Sequence, residues 1–161
     1  MRLFTLLLLT VLSLFGGSYH FDETRYIYSI DKTLKMQGEI TFDEKGMRID
    51  YTKPEVRHIF YDGLSMKVVS SDGKVLQDID LNEQPMMKVY MEFIHKLYRG
   101  DYDALKENFE IKQTQTVVMM SPIPPIDKVI KSVIVHKRAT GLSQIQTKMS
   151  NGDAITLHIT Q

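Results

Sequence analysis

The chain has 161 residues, 43% of them hydrophobic, with 20 basic and 20 acidic side chains that cancel to a formal charge of zero, and no cysteine. That length supports one sizeable core rather than two, and the balanced charge leaves no electrostatic footprint for nucleic acid. Without cysteine there is neither a disulfide nor a lipid-modified N-terminal cysteine, so stability must come from the hydrophobic core alone.

The N-terminus places Met1-Arg2 before an apolar run from Leu3 to Leu12, which continues through Leu14 and Phe15 into Gly16-Gly17-Ser18. A positive tip, a short apolar core and small residues are the parts of a signal peptide in their usual order, with cleavage expected after Ser18. The run is shorter than the roughly 20 apolar residues that a spanning helix needs. Residues 1–18 are therefore read as an export signal and residues 19–161 as a single domain outside the cytoplasm.

From Leu34 to Phe42, the residues Leu34, Met36, Ile40 and Phe42 alternate with Lys35, Gln37, Glu39 and Thr41, and Gly38 falls on the apolar face. Period two predicts a half-buried antiparallel strand. The turn Asp43-Glu44-Lys45-Gly46 leads to Met47, Ile49 and Tyr51, which alternate with Arg48, Asp50 and Thr52 until Pro54, so the two segments form a hairpin. Further strands are predicted over 56–61, 66–69 and 75–81, separated by the turn pairs Asp62-Gly63 and Asp72-Gly73.

The period then changes. Met86, Val89, Tyr90, Phe93, Ile94, Leu97 and Tyr98 make one face of an amphipathic helix, with Lys88, Glu92, His95, Lys96 and Arg99 facing away. Gly100 ends it, and Asp101 is placed to cap a shorter helical piece through Asn108. Strand signals return at 117–120, 129–135, 142–149 and 155–159, interrupted by Pro122, Pro124 and Pro125 and by the turn Asn151-Gly152. The expected architecture is mainly β, a curved antiparallel sheet with one helix on its concave face.

Little in the chain suggests catalysis or metal binding. His20, His58, His95, His136 and His158 are scattered without metal-ligand spacing, and neither a nucleophile elbow nor a phosphate-cradling glycine loop occurs. No catalytic residue, metal or cofactor is therefore expected. Asp43/Glu44 and Asp78/Asp80 lie at turns or on polar faces, where solvated charge is the ordinary outcome. Methionine is the unusual feature, with nine beyond Met1, most on an apolar strand face or on the helix. Flexible, polarizable side chains suit a surface that must repack around variable apolar partners, and a helix laid on a curved sheet makes a cleft with two apolar walls.

Several segments together resemble the periplasmic lipoprotein carriers of the LolA type. They are Gln37-Gly38-Glu39-Ile40-Thr41-Phe42, then Met47-Arg48-Ile49-Asp50-Tyr51-Thr52-Lys53-Pro54, Tyr61-Asp62-Gly63, Leu97-Tyr98-Arg99-Gly100-Asp101 with Leu105 and Phe109, Met119-Met120-Ser121-Pro122, and Asn151-Gly152-Asp153 with Ile155 and Leu157. The resemblance implies an unclosed β-barrel with a helical lid over a cavity that shields lipoprotein acyl chains between the inner and outer membranes. Its implied partners are an inner-membrane lipoprotein-releasing transporter and an outer-membrane receptor, with the carrier a monomer. Asp43-Glu44 stands where the family often has Arg-Pro, and the chain is short at both ends relative to many members, so a smaller and more open cavity is expected. The expected lining is Leu34, Met36, Ile40 and Phe42, Met47, Ile49 and Tyr51, and Val89, Phe93, Ile94 and Leu97 on the lid. A glycolipid-binding or envelope-sensing role, and a small hydrolase built from dispersed carboxylates and His58, are the competing readings.

Overall fold

The computed structural model describes residues 17–160. Of the expected export signal, residues 1–16 lie outside the described residues, whereas Gly17 and Ser18 open the first strand and pair with Phe42 and Thr41. The strands are β1 (Gly17–Ile27), β2 (Lys32–Phe42), β3 (Met47–Lys53), β4 (Arg57–Tyr61), β5 (Ser65–Ser70), β6 (Val75–Asp80), β7 (Phe109–Gln113), β8 (Val117–Pro122), β9 (Ile130–Arg138), β10 (Gly141–Met149) and β11 (Ala154–Thr160), with the helix α1 (Pro85–Tyr98) between β6 and β7. All join one antiparallel sheet in the order β6-β5-β4-β3-β2-β1-β11-β10-β9-β8-β7. The sheet does not close, because β6 and β7 remain as two edges.

β1 and β7 are the strands that the alternation above does not predict. β1 is the middle of the sheet, paired with β2 on one side and β11 on the other. Its inward positions run Tyr19, Phe21, Glu23, Arg25 and Ile27, and two charged residues among them break the apolar period. β7 has only Phe109 and Ile111 as apolar residues. The helical piece expected through Asn108 is a single 3-10 turn, Asp103–Leu105, although Asp101 does accept the Ala104 N–H through its carboxylate.

One face of the sheet carries the core. Phe21 lies opposite Gly38 and Ile159, Ile40 opposite Ile49, and Val135 opposite Ile145. The helix contributes Phe93, Ile94 and Leu97, and Phe93 stacks at 5.1 Å on Phe109. Each such side chain stabilises the fold by about 1.5–3 kcal/mol on burial. Gly38 is needed at its position, since a Cβ there would overlap the Asp50 carbonyl and come within 2.8 Å of the Phe21 ring.

Pro85 begins α1 at a position where its missing N–H costs nothing. Gly100, at φ 75°, ends it in a Schellman turn, with Gly100 N–H bonded to the Leu97 carbonyl and Asp101 N–H to the Lys96 carbonyl, each at 3.0 Å. The apolar face is wider than the predicted stripe. Met91 is buried, and so is His95, which was expected to face solvent. His95 follows Met91 by four residues and precedes Tyr98 by three, so it shares their side of the helix, under the Asp43–Gly46 turn and beside Phe42 and Tyr61. Its Nε2 is buried and has no hydrogen-bond partner among the described residues.

Burial, aided by the Arg99 charge, pushes the His95 pKa down against the opposing pull of the backbone at Asp43 and Gly46. A histidine kept neutral in the fold stabilises it fully above the unfolded value of about 6.5, and that contribution is lost as pH falls below it toward the folded value. Urea unfolding at a series of pH values should therefore show a loss of stability below about pH 6.5 that is smaller in His95→Phe; equal pH dependence in both proteins would refute this account. Gly38→Ala should cost about 2 kcal/mol or more in the same assay, since either the β3 backbone or the Phe21 ring must move.

Candidate functional site

Between α1 and the sheet lies a cavity of about 490 Å³. This is an ordinary size for a small-molecule site. Six methionines line it: Met47, Met66 and Met149 from the sheet, and Met86, Met87 and Met91 from the helix. Ile49, Ile59, Ile94, Val129 and Ile155 complete the apolar wall. Alternation explains the sheet side, since Met47, Ile49 and Tyr51 share one face of β3, and β4 and β5 set Ile59 and Met66 on the same side.

The helix is seated unevenly along its length. Leu97 is fully buried near its C-terminal end, and the Tyr19 hydroxyl donates to the Tyr98 carbonyl there. At the N-terminal end Met86 and Met87 are each 37% exposed. The cavity runs along the helix from Met86 to Tyr98 and reaches Arg25, Tyr51 and Asp153, at the end of the sheet where the β1–β2, β3–β4 and β10–β11 turns lie.

One wall is polar. Glu23, only 3% exposed, accepts from Arg25 Nε at 2.9 Å and Nη2 at 2.7 Å through Oε1, and from the Tyr51 hydroxyl at 2.9 Å through Oε2. Tyr90 and Tyr98 also line the cavity. Burial is the largest influence on all three tyrosines and raises each pKa; the Glu23 carboxylate adds to the rise, while Arg25 opposes it at Tyr51 and Tyr90. All three therefore remain phenols at any ordinary pH. The Arg25 charge is itself favoured overall, because burial opposes it but the adjacent Glu23 carboxylate outweighs that penalty.

Of the residues expected to line the cleft, Met47, Ile49, Tyr51 and Ile94 do so. Ile40, Phe42, Phe93 and Leu97 lie on the expected face but in the solid core, with Phe42 against Tyr19 and His95. Val89 is part-buried against that core. Leu34 and Met36 are part-exposed cross-strand neighbours of Arg25 and Glu23, outside the lining. The charged pair of β1 was missed, as were Tyr90, Tyr98, Ile59, Val129, Asp153 and Ile155. The β3 alternation placed all three of its expected residues, Met47, Ile49 and Tyr51, on the cavity, whereas five of the six lining methionines lie outside the expected lining.

His58 does meet a carboxylate, Asp50, which also binds Arg48, but the opposite parity to Ile49 and Ile59 puts this group on the outer face, away from the cavity. Asp43 builds the β2–β3 turn by accepting the Lys45 and Gly46 N–H groups, and Asp78 pairs with Lys67 at 3.5 Å on an exposed edge. Among the described residues no cluster of three or more His, Asp or Glu side chains could hold a metal ion, and no helix is long and apolar enough to cross a membrane.

No protein-family model matches the sequence, and no curated protein matches it. Among solved structures, the chain is similar to a LolA superfamily protein from Nitrosomonas europaea, with a TM-score of 0.42 and 7% identity over 91% of this chain and 84% of that one.

The Glu23–Arg25 pair gives a direct test of the polar wall. Arg25→Met should cost about 2 kcal/mol in chemical denaturation, less than the 3–5 of a fully buried pair because the Arg25 side chain is 40% exposed and screened by water. Adding Glu23→Leu should recover most of that loss; a double variant no more stable than Arg25→Met would show that the stranded carboxylate is not the cause.

Proposed function

We propose that the chain is an exported lipid carrier that shelters acyl chains in the methionine-lined cavity and moves them across the aqueous space between membranes. The observation that carries this reading is the cavity itself, in which six methionines and five aliphatic side chains face one another across the gap between helix and sheet. Methionine keeps three rotatable bonds and a polarizable sulfur, so such a wall fits chains that differ in length and kink. A wall of this composition has little to offer a polar substrate except along the β1 side.

The energetics require shelter of this kind. Each methylene taken out of lipid into water costs about 0.8 kcal/mol, so a chain of about fifteen methylenes faces about 12 kcal/mol. A carrier that buries most of the chain removes most of that barrier and needs no bond chemistry. In this reading the helix supplies the gate, because Met86 and Met87 in its first turn are exposed while its C-terminal end is anchored by Leu97 and the Tyr19–Tyr98 hydrogen bond. Loading is then local opening, and delivery is transfer to a receptor that binds the cargo better.

The resemblance of the sequence segments to LolA-type carriers supports the same assignment. It adds lipoprotein acyl chains as cargo, a periplasmic location after signal cleavage, an inner-membrane releasing transporter as donor and an outer-membrane receptor as acceptor. A glycolipid carrier or an envelope sensor would use the same cavity with different partners.

Purified protein stripped of lipid should take up a fluorescent fatty acid with saturable one-to-one stoichiometry, and protein purified from membrane-containing cells should carry lipid detectable by mass spectrometry. Met87→Glu places a charge at the rim without touching the core, so uptake should weaken about tenfold or more at nearly unchanged melting temperature. A wild-type protein that emerges free of lipid and takes up no probe would sink the carrier assignment.

A further inference from the structure

The turn between β1 and β2 carries large apolar side chains where a solvated turn ordinarily has Gly, Asn, Asp or Ser. Tyr28 and Ile30 are 63% and 62% exposed there, among the most exposed large apolar side chains described. Hydrogen bonds hold the turn in place. Asp31, at φ 48°, closes it by donating its N–H to the Tyr28 carbonyl at 3.3 Å, and its Oδ1 accepts from the Tyr26 hydroxyl at 2.9 Å. The Tyr28 N–H donates to Asp153 Oδ1 at 2.9 Å, and the Tyr28 ring lies so close over Gly152 that a Cβ there would come within 2.7 Å of it.

This tip projects beside the cavity. β3 ends at Lys53, opposite Gln37, five residues short of the start of β2 at Lys32, so the β1–β2 hairpin extends past its neighbour. Asp153, which holds the tip, also lines the cavity, as does the part-exposed Arg25 of β1. The charge around the tip is positive in excess. On β1 to β4 and β9 to β11 at this end, Lys32, Lys35, Lys53, Arg57, Lys131 and Lys148 stand against Asp22, Asp31, Glu55 and Asp153, while Glu23 with Arg25 and Asp127 with Lys128 cancel. Five of those six cations are lysines. Lysine is depleted from protein interfaces but binds phosphate as a point charge, and tyrosine is enriched where water meets a bilayer. An apolar tip in a collar of lysines therefore matches a lipid surface better than a protein receptor.

We infer that this end of the protein docks on an anionic lipid bilayer, with Tyr28 and Ile30 entering the head-group layer and the surrounding lysines meeting lipid phosphates. Docked in this way, the cavity lies beside the membrane surface. The inference goes beyond the carrier reading and does not depend on what the cavity holds. Two apolar side chains and a modest excess of cations give weak, reversible attachment, which lets the protein leave again.

The test titrates protein purified after export with vesicles and measures co-sedimentation. Vesicles of phosphatidylglycerol and phosphatidylethanolamine should bind it about tenfold or more tightly than phosphatidylcholine vesicles, and added salt should weaken that binding. Ile30→Glu should weaken it about tenfold or more, at unchanged melting temperature and unchanged uptake of a soluble fluorescent fatty acid. Lys32→Gln with Lys35→Gln should lower affinity for the anionic vesicles about tenfold and leave the phosphatidylcholine value unchanged. The chain has no tryptophan, so Ile30→Trp supplies a single reporter whose emission should shift to the blue on anionic vesicles and be quenched by brominated lipid.

No binding to anionic vesicles, or binding that Ile30→Glu leaves intact, would overturn the docking tip, and retained fatty-acid uptake would then leave the carrier reading standing. Equal binding to phosphatidylcholine would overturn the anionic assignment. A photo-crosslinker at position 30 that captures a protein, with no vesicle binding, would give the tip to a protein receptor and overturn the inference. Vesicle binding as expected without any fatty-acid uptake would support the inference and remove the carrier reading alone.

Discussion

The concave face of this sheet is larger than the helix that must cover it. Eleven strands spaced about 4.8 Å apart span about 50 Å if laid flat, whereas a helix of 14 residues is about 21 Å long and 10 Å wide. The sheet reduces the mismatch by curling around the helix, and the strands on both flanks bury their apolar sides against each other and against Phe93 and Leu97. Where helix and sheet do not meet, apolar surface is left facing apolar surface, and that remainder is the cavity.

The central strand serves both halves of this arrangement at once. Near its start, Tyr19 and Phe21 belong to the core that holds the C-terminal half of the helix, with Phe21 admitted beside Gly38 and edge-on to Tyr51 at 5.7 Å. Four residues further on, Glu23 and Arg25 place an ion pair on the cavity wall. A buried ion pair is seldom a net gain in stability over apolar side chains of the same volume. Its place here gives an otherwise apolar cavity one polar wall.

That same strand explains the limits of reading the fold from sequence. Period two identified the β2–β3 hairpin and β11, short apolar runs between turn and proline signals marked β4 to β6 and β8 to β10, and the three-four stripe identified the helix. β1 escaped because its inward face carries Glu23 and Arg25, so the residues that mark the site also erase the pattern that would have located it. Parity gives the face of a strand but not the distance along it to the helix: Ile40 and Phe42 share a face with Met36 and Leu34, yet two are core and two are rim.

The two unpaired edges have a mechanical meaning. A closed barrel has its radius set by strand number and stagger, so it can widen only by breaking a seam of hydrogen bonds. In this sheet every ladder from β6 to β7 can remain intact while the twist between neighbouring strands relaxes slightly and the two ends spread or draw together. Small changes of angle shared among ten strand pairs add up to a large change at the rim. The wall behaves as a leaf spring whose compliance is distributed along the whole chain, so the volume it encloses can follow its contents.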